Sequence, residues 1–285
     1  TANLNYYIKI IFEKATLRNM IAKTTAIQEE CYDEQTPLLD IVENAERSIL
    51  GVYNDRLGRD IKKIQEVLPD LQHTIETLAE SKTDFTGIRT GFYDFDAMTR
   101  GLQKRQVIIL AARPGAGKSA FALNIALNAA INEKKSVAFF SLEMGAEEIA
   151  KRMFGCVGKI DGDVLKTGKF KNTDWKKWNE AMSELQDTKF YIDDSAGLTV
   201  SEVRRKCRKL KNSDDGLDLI VIDYLQLLSS SAKYAGQRVQ EVSEISRDIK
   251  KLAMELEVPV IALAQLSRSV EQRKGDDSKP KLSDL

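Results

Sequence analysis

The chain has one histidine, His73, and only three cysteines, Cys31, Cys156 and Cys207, in 285 residues. The cysteines are far apart, odd in number and never in a CxxC pair, which argues against a zinc site and reads as reduced thiols of a cytosolic protein. His73 lies among polar residues in a helical pattern and reads as a surface histidine. A charge excess is missing as well: Lys+Arg and Asp+Glu are 43 each, so no strongly basic surface advertises a nucleic acid. A local basic channel is still compatible with that balance, because binding depends on how charge is distributed. No apolar run approaches the ~20 residues of a bilayer-crossing helix, and the N-terminus has no signal-peptide pattern. The expected setting is the cytoplasm, with no membrane partner. The chain opens at Thr1 inside a helical pattern and stops at Leu285 without a cap, from which a fragment is expected.

What is present is enough apolar residue, 42%, for a sizeable core, in a length that suggests about two domains. The first eighty residues read as helices only. Tyr6, Ile10, Leu17 and Ile21 fall at helical spacing, as do Leu38, Ile41, Val42, Ala45 and Ile49. Pro37 and the polar residues before it mark a turn, which makes the pair an antiparallel hairpin. Each helix of such a hairpin buries only one stripe, so a further partner is implied. Next come Leu57, Ile61, Ile64 and Leu68, an interruption at Pro69, and then Leu71, Ile75 and Leu78. Two readings stand for this stripe: a short coiled coil, or a linker helix docking on a neighbouring subunit. The polar stretch "AESKTDFTGIRTG" then supplies a domain boundary.

From about Gly87 the pattern becomes alternating strands and helices. "QVIILA", "SVAFFS", "KFYI", "LDLIVI" and "VPVIALA" are short and nearly continuously apolar, as strands covered on both faces are. Helices are expected over 119–132, from Thr199, where Thr199 and Glu202 have capping-box spacing, and over 238–256. This alternation predicts an α/β domain with a parallel sheet.

The stretch "ARPGAGKSA" (112–120) matches the phosphate-loop pattern except that Ala112 stands at its first glycine. Arg113, Pro114, Gly115, Ala116, Gly117, Lys118, Ser119 and Ala120 are the expected nucleotide-binding residues. Gly115 and Gly117 free the backbone to turn its N–H groups inward. Lys118 reaches the β- and γ-phosphates, Ser119 ligates Mg²⁺, and the helix N-terminus favours the anion.

Ligands of open α/β sheets sit beyond the carboxyl ends of the strands, so chemistry is expected at the strand ends. Asp223 ends "LDLIVID" and suits a Mg²⁺ ligand, directly or through water; the alternative is an aspartate that caps a turn. Glu143, after "SVAFFSL", suits a base that orients or deprotonates water for attack on the γ-phosphate; the alternative is a helix-start charge. Gln265 ends "VPVIALAQ" and suits a γ-phosphate sensor; the alternative is a satisfied amide at a strand exit. Together these residues predict a hydrolase site that cleaves a bound γ-phosphate with Mg²⁺; the resemblance below implies that the nucleotide is ATP. Two loops follow, "SSSAKYAGQR" and "SRSVEQRKGDDSKPK". Arg268, Arg273 and Lys274 in the second are candidate DNA contacts if the loop grips a polyanion; a solvated loop is the other reading.

Six segments, "TGFYDFDAMTRGLQ", "AARPGAGKSAFALNIA", "FFSLEM", "YIDDSAGLTVSEVRRKCRKLK", "LIVIDYLQLL" and "EVSEISRDIKKLAMELEVPVIALAQLSRSVEQR", resemble the DnaB-type replicative DNA helicases of bacteria and their phages. The resemblance covers essentially the whole chain. It implies an end of the N-terminal domain over 1–56, a linker helix and connection over 57–86, and a RecA-like ATPase domain over 87–285. It implies a ring of six that moves on single-stranded DNA and unwinds duplex at the fork, with a primase and a helicase loader as partners, at the replisome of a bacterial cytoplasm. The residue roles it implies are a phosphate-loop lysine and serine in Lys118 and Ser119, a catalytic glutamate in Glu143, a Walker B acid in Asp223 and a phosphate sensor in Gln265. It further implies a head before the hairpin, and a DNA-contacting loop and an arginine finger after Leu285. Without that finger, typically worth ~10³ to 10⁵ in turnover, the chain alone is expected to bind nucleotide but hydrolyse and unwind weakly. The alternatives are a RecA-like recombinase, a clock-type ATPase, or a scaffold that uses nucleotide only to hold a ring together.

Overall fold

In the computed structural model the described residues are 2–33, 63–80, 85–229 and 238–266, with single positions between 38 and 51. The chain forms two compact units, Thr1–Glu80 and Ser81–Leu285.

The first unit is helical. Helix α1 spans Ala2–Cys31, and helical positions recur at Leu38 and between 41 and 51, where Ile41 is buried. The turn expected at Pro37 lies outside the described residues, as do Leu57 and Ile61. Helix α2, Ile64–Glu80, runs through Pro69 without a break. The proline removes one backbone donor, whose partner would be the Gln65 carbonyl one turn back, and the flanking turns hold. The α2 stripe is uncovered: Leu68, Leu71 and Ile75 are 49%, 51% and 55% exposed, and no residue of the helix is buried.

Among its described residues the second unit is built on five parallel strands: β1 (Val107–Ala112), β2 (Val137–Ser141), β3 (Phe190–Asp193), β4 (Leu219–Asp223) and β5 (Val260–Gln265). Their spatial order is β1-β5-β4-β2-β3. β2 and β4 are buried at every position and sit inside the sheet, whereas β3, at one edge, is only half-buried. Period-two alternation divides their side chains between two cores. On one face Phe140, Ile220, Ile222 and Ala262 pack with Val203 and Cys207 of α8 (Val200–Lys211) and Ile249 and Leu252 of α9 (Arg238–Leu256). On the other, Phe139, Leu219, Val221 and Ile261 pack against α4 (Lys118–Ile131) and α5 (Ala146–Val157). Each fully buried Ile, Leu or Val contributes about 1.5–3 kcal/mol. Ala122, Ala126 and Ala129 of α4 have no exposed surface; their small side chains let this helix lie close to the sheet and bring its N-terminus to the strand ends.

Among the described residues the unit has three further helices: α3 (Tyr93–Thr99), α6 (Gly162–Thr167) and α7 (Asn172–Gln186). The buried Asp96 of α3 accepts bonds from Thr90 N–H (2.8 Å), Thr90 Oγ1 (2.7 Å) and Gly91 N–H (3.0 Å), so the "TGFYD" turn is locked by one carboxylate. α8 begins as its sequence predicts. Thr199 caps it by accepting from Glu202 N–H at 3.2 Å, while Glu202 Oε2 accepts from Thr199 N–H at 2.8 Å.

Candidate active site

The parallel registers line up four strand exits along one rim of the sheet. Ala112 pairs with Gln265, and Asp223 pairs with Ser141, two residues before Glu143. The 112–120 segment therefore leaves β1 beside the Gln265 exit, with the β4 and β2 exits beyond it. Gly115 and Gly117 have φ of 78° and 86°, a left-handed backbone that costs other residues about 1–2 kcal/mol each. A Cβ at either would meet no protein atom within 4 Å, so within the protein it is the left-handed backbone that calls for glycine here. Gly117 is the N-cap of α4, and Lys118 and Ser119 open its first turn.

A cavity of about 550 Å³ lies at this rim. It is lined by Arg113, Pro114, Gly115, Gly117, Lys118, Ser119 and Ala120, and from the other strand exits by Glu143 and Gln265. Ala116 is the one phosphate-loop residue expected at the site that does not line it; its N–H turns back to the Arg113 carbonyl at 3.3 Å. Arg113 in turn donates to the Leu266 carbonyl at 3.3 Å, tying the loop to the end of β5. Arg268, Arg273 and Lys274 lie outside the described residues.

Burial and charge act on this rim together. Lys118 is half-buried, and loss of solvent lowers its pKa, while the nearby Asp223 and then Glu143 oppose that shift. Its ammonium stands 4.6 Å from the centre of the Tyr224 ring. Asp223 is 1% exposed. Burial raises its pKa, against hydrogen bonding from Ser119 and the charge of Lys118. Its Oδ1 is buried and has no hydrogen-bond partner, an arrangement that costs free energy unless another group meets that oxygen. A bare carboxylate oxygen beside a serine hydroxyl fits a hard divalent cation. Among the described residues no three His, Cys, Asp or Glu side chains are grouped to hold a metal alone. The donors present, one carboxylate oxygen and one hydroxyl, suit a cation that completes its shell with phosphate and water.

Several residues of the site carried no strand-end signal. Met144, Glu148 and Arg152 line the same cavity, and Arg152 pairs with Glu148 at 2.8 Å one helical turn away. Their i,i+4 spacing was readable as an ion pair, but not which cavity it borders. Ser141 Oγ donates to the Met144 carbonyl (2.6 Å) and Asp194 accepts from Ala146 N–H (2.8 Å), so the turn bearing Glu143 is held at both ends. Gln226 bonds the backbone of Gln265 twice.

Comparison with known proteins agrees with this architecture. Residues 87–285 match the family model described as DnaB-like helicase C terminal domain. The chain is 47% identical over 284 residues to the replicative DNA helicase DnaC of Bacillus subtilis (strain 168), covering all of this chain and 62% of that one. Thus it spans less than two thirds of the length of that curated relative. Among solved structures, one described as an ATPase domain superposes with a TM-score of 0.72 at 41% identity, over 79% of this chain and 78% of the other. A DnaB-like replicative helicase, described with its interactions with primase, superposes with a TM-score of 0.79 at 34% identity, over 100% of this chain and 65% of the other.

Proposed function

Because the chain belongs to the DnaB-like helicase family and has its RecA-like α/β fold, we propose that it is the ATP-hydrolysing part of a hexameric replicative helicase. In this reading it moves on single-stranded DNA and opens duplex at the fork, in the cytoplasm of a bacterial cell. The observation that carries the proposal is the convergence of Lys118, Ser119, Glu143 and Gln265 on one cavity, with the unpartnered carboxylate oxygen of Asp223 near Ser119, Lys118 and Glu143.

Each residue has a task at this rim. The α4 N-terminus and the Lys118 ammonium hold the phosphate chain, drawing on unpaired backbone donors and the helix dipole. Mg²⁺, held by Ser119 and Asp223, would supply neutralisation of the phosphate charge that develops during cleavage. Glu143, exposed to the cavity on a turn fixed by Ser141 and Asp194, takes the proton of the attacking water. Gln265 reports the γ-phosphate to the chain that follows β5. The uncovered α2 stripe supports assembly: an apolar face of this kind is covered when a linker helix packs on the adjacent subunit. Primase, named in the description of one structural relative, and a helicase loader are the protein partners of this reading.

The test is steady-state ATP hydrolysis, by a chain extended to the length of the curated relatives, with and without single-stranded DNA across a salt series. Stimulation by DNA that fades with salt is expected, because phosphate contacts release counterions. Hydrolysis indifferent to DNA removes the DNA motor and leaves a nucleotide-dependent scaffold or a different polymer substrate.

A further inference from the structure

β4 and β5 run side by side only as far as the Ile222–Ala262 pair. Beyond it the strands part. β5 continues along β1 to Gln265, while the chain leaving β4 turns into a 3-10 helix over Leu225–Leu227. Leu266 N–H donates to the Ala112 carbonyl on the β1 side. In a parallel ladder alternate residues bond to opposite sides, so the N–H and C=O of Gln265 face the gap left by β4.

The Gln226 carboxamide fills that gap. Its Nε2 donates to the Gln265 carbonyl at 3.1 Å, and its Oε1 accepts from Gln265 N–H at 3.2 Å. A primary amide offers the same donor and acceptor as a peptide unit, so one side chain stands in for a strand residue where the strand has ended. The turn that carries it is anchored: Leu225 and Leu228 are buried, and Leu228 N–H donates to the Leu225 carbonyl at 3.1 Å. Gln226 lies three positions after Asp223, so the two bonds join the exit bearing that carboxylate to the exit bearing Gln265.

We propose that Gln226 is a positioning residue for phosphate cleavage, acting through Gln265 by holding it in register with Asp223 across the parted strands. The proposal rests on the hydrolase reading above. Its alternative is that the two bonds serve stability alone.

A double-mutant cycle on the full chain separates these. ATP turnover, affinity for a non-hydrolysable ATP analogue and the thermal transition are measured for wild type, Gln226→Met, Gln265→Ala and the double variant. Gln226→Met is expected to lower kcat by roughly 10- to 100-fold, the scale of a misplaced reacting group, with analogue Kd within about 3-fold of wild type. The double variant is expected to be no slower than Gln265→Ala alone, because the side chain to be positioned is gone. Unchanged kcat in Gln226→Met, or losses that add in the double variant, overturns the proposal. An absence of turnover in the wild type is a distinct result, which removes the hydrolase reading and this proposal with it. If Gln226→Met does not fold, Gln226→Glu carries the same cycle: it keeps the length and the acceptor for Gln265 N–H and loses the donor.

Discussion

The Lys118 ammonium lies over the ring of Tyr224, 4.6 Å from its centre, within reach of the charges of Asp223 and Glu143. Burial lowers its pKa from the ordinary lysine value, with the two carboxylates resisting. Bound phosphate keeps the lysine protonated, so the free site titrates first. Affinity for an ATP analogue is therefore expected to weaken from the alkaline side, by about tenfold per pH unit once the free-state lysine has lost its proton. Fluorescence titrations of a labelled analogue at increasing pH measure this. In Asp223→Asn the loss should begin at lower pH, because the largest opposing charge is gone; an unshifted onset would show that Asp223 does not act on Lys118.

Asp223 itself carries a trade-off. Its pKa is raised by burial, so the ionised carboxylate costs the fold stability. That cost is absent below the unfolded carboxylate pKa and fully present above the raised folded value. At neutral pH Asp223→Asn is expected to melt at or above the wild-type temperature while turnover falls on the order of 10²-fold or more through loss of the metal ligand. Calorimetry and an ATPase assay on one preparation check both halves, and a marked fall in Tm would contradict the sign.

Glu143→Gln keeps the shape and the hydrogen-bonding reach of the side chain and removes its basicity. Analogue binding should stay close to wild type and kcat should fall about 10²- to 10⁴-fold, the usual worth of a general base. Retained turnover in this variant would show that Glu143 is not the base, and a scaffold that only binds nucleotide would show no turnover in wild type or variant.

Thr199→Ala provides a contrast, because the α8 cap lies outside the residues lining the cavity. Loss of the cap is expected to cost about 1 kcal/mol, roughly 2–4 °C in Tm for a domain of this size. Nucleotide affinity and kcat per folded molecule should not change. If they do, the cap region is coupled to the rim in a way its bonds do not show.

The five strands were legible because covered strands are written as short apolar runs, and each predicted run overlaps an observed strand. α8 and α9 were legible for a related reason: one has its capping pair, the other its stripe. α7 was not singled out. Only Ala181 of it is buried, and its packing relies on aromatic contacts, Trp178 stacked on Phe154 at 4.0 Å and Trp175 tilted against Phe170 at 4.7 Å, which leaves little periodic signal. At the rim, residues standing at strand ends could be assigned chemistry from their type. Gln226 and Asp194 could not, because their partners lie 39 and 48 positions away in sequence, and only the closed sheet brings them together.

The division between buried strands and a reactive rim has a consequence for how such a protein changes over generations. β2 and β4 are sealed from water along their whole length, while Glu143 and Gln265 stand in the open at their strand exits. A substitution inside the slab is met first as a loss of packing, and one at its border as a change of exposed chemistry. A new timing of hydrolysis, or a new way of passing its signal onward, needs altered exits and turns on an unaltered sheet.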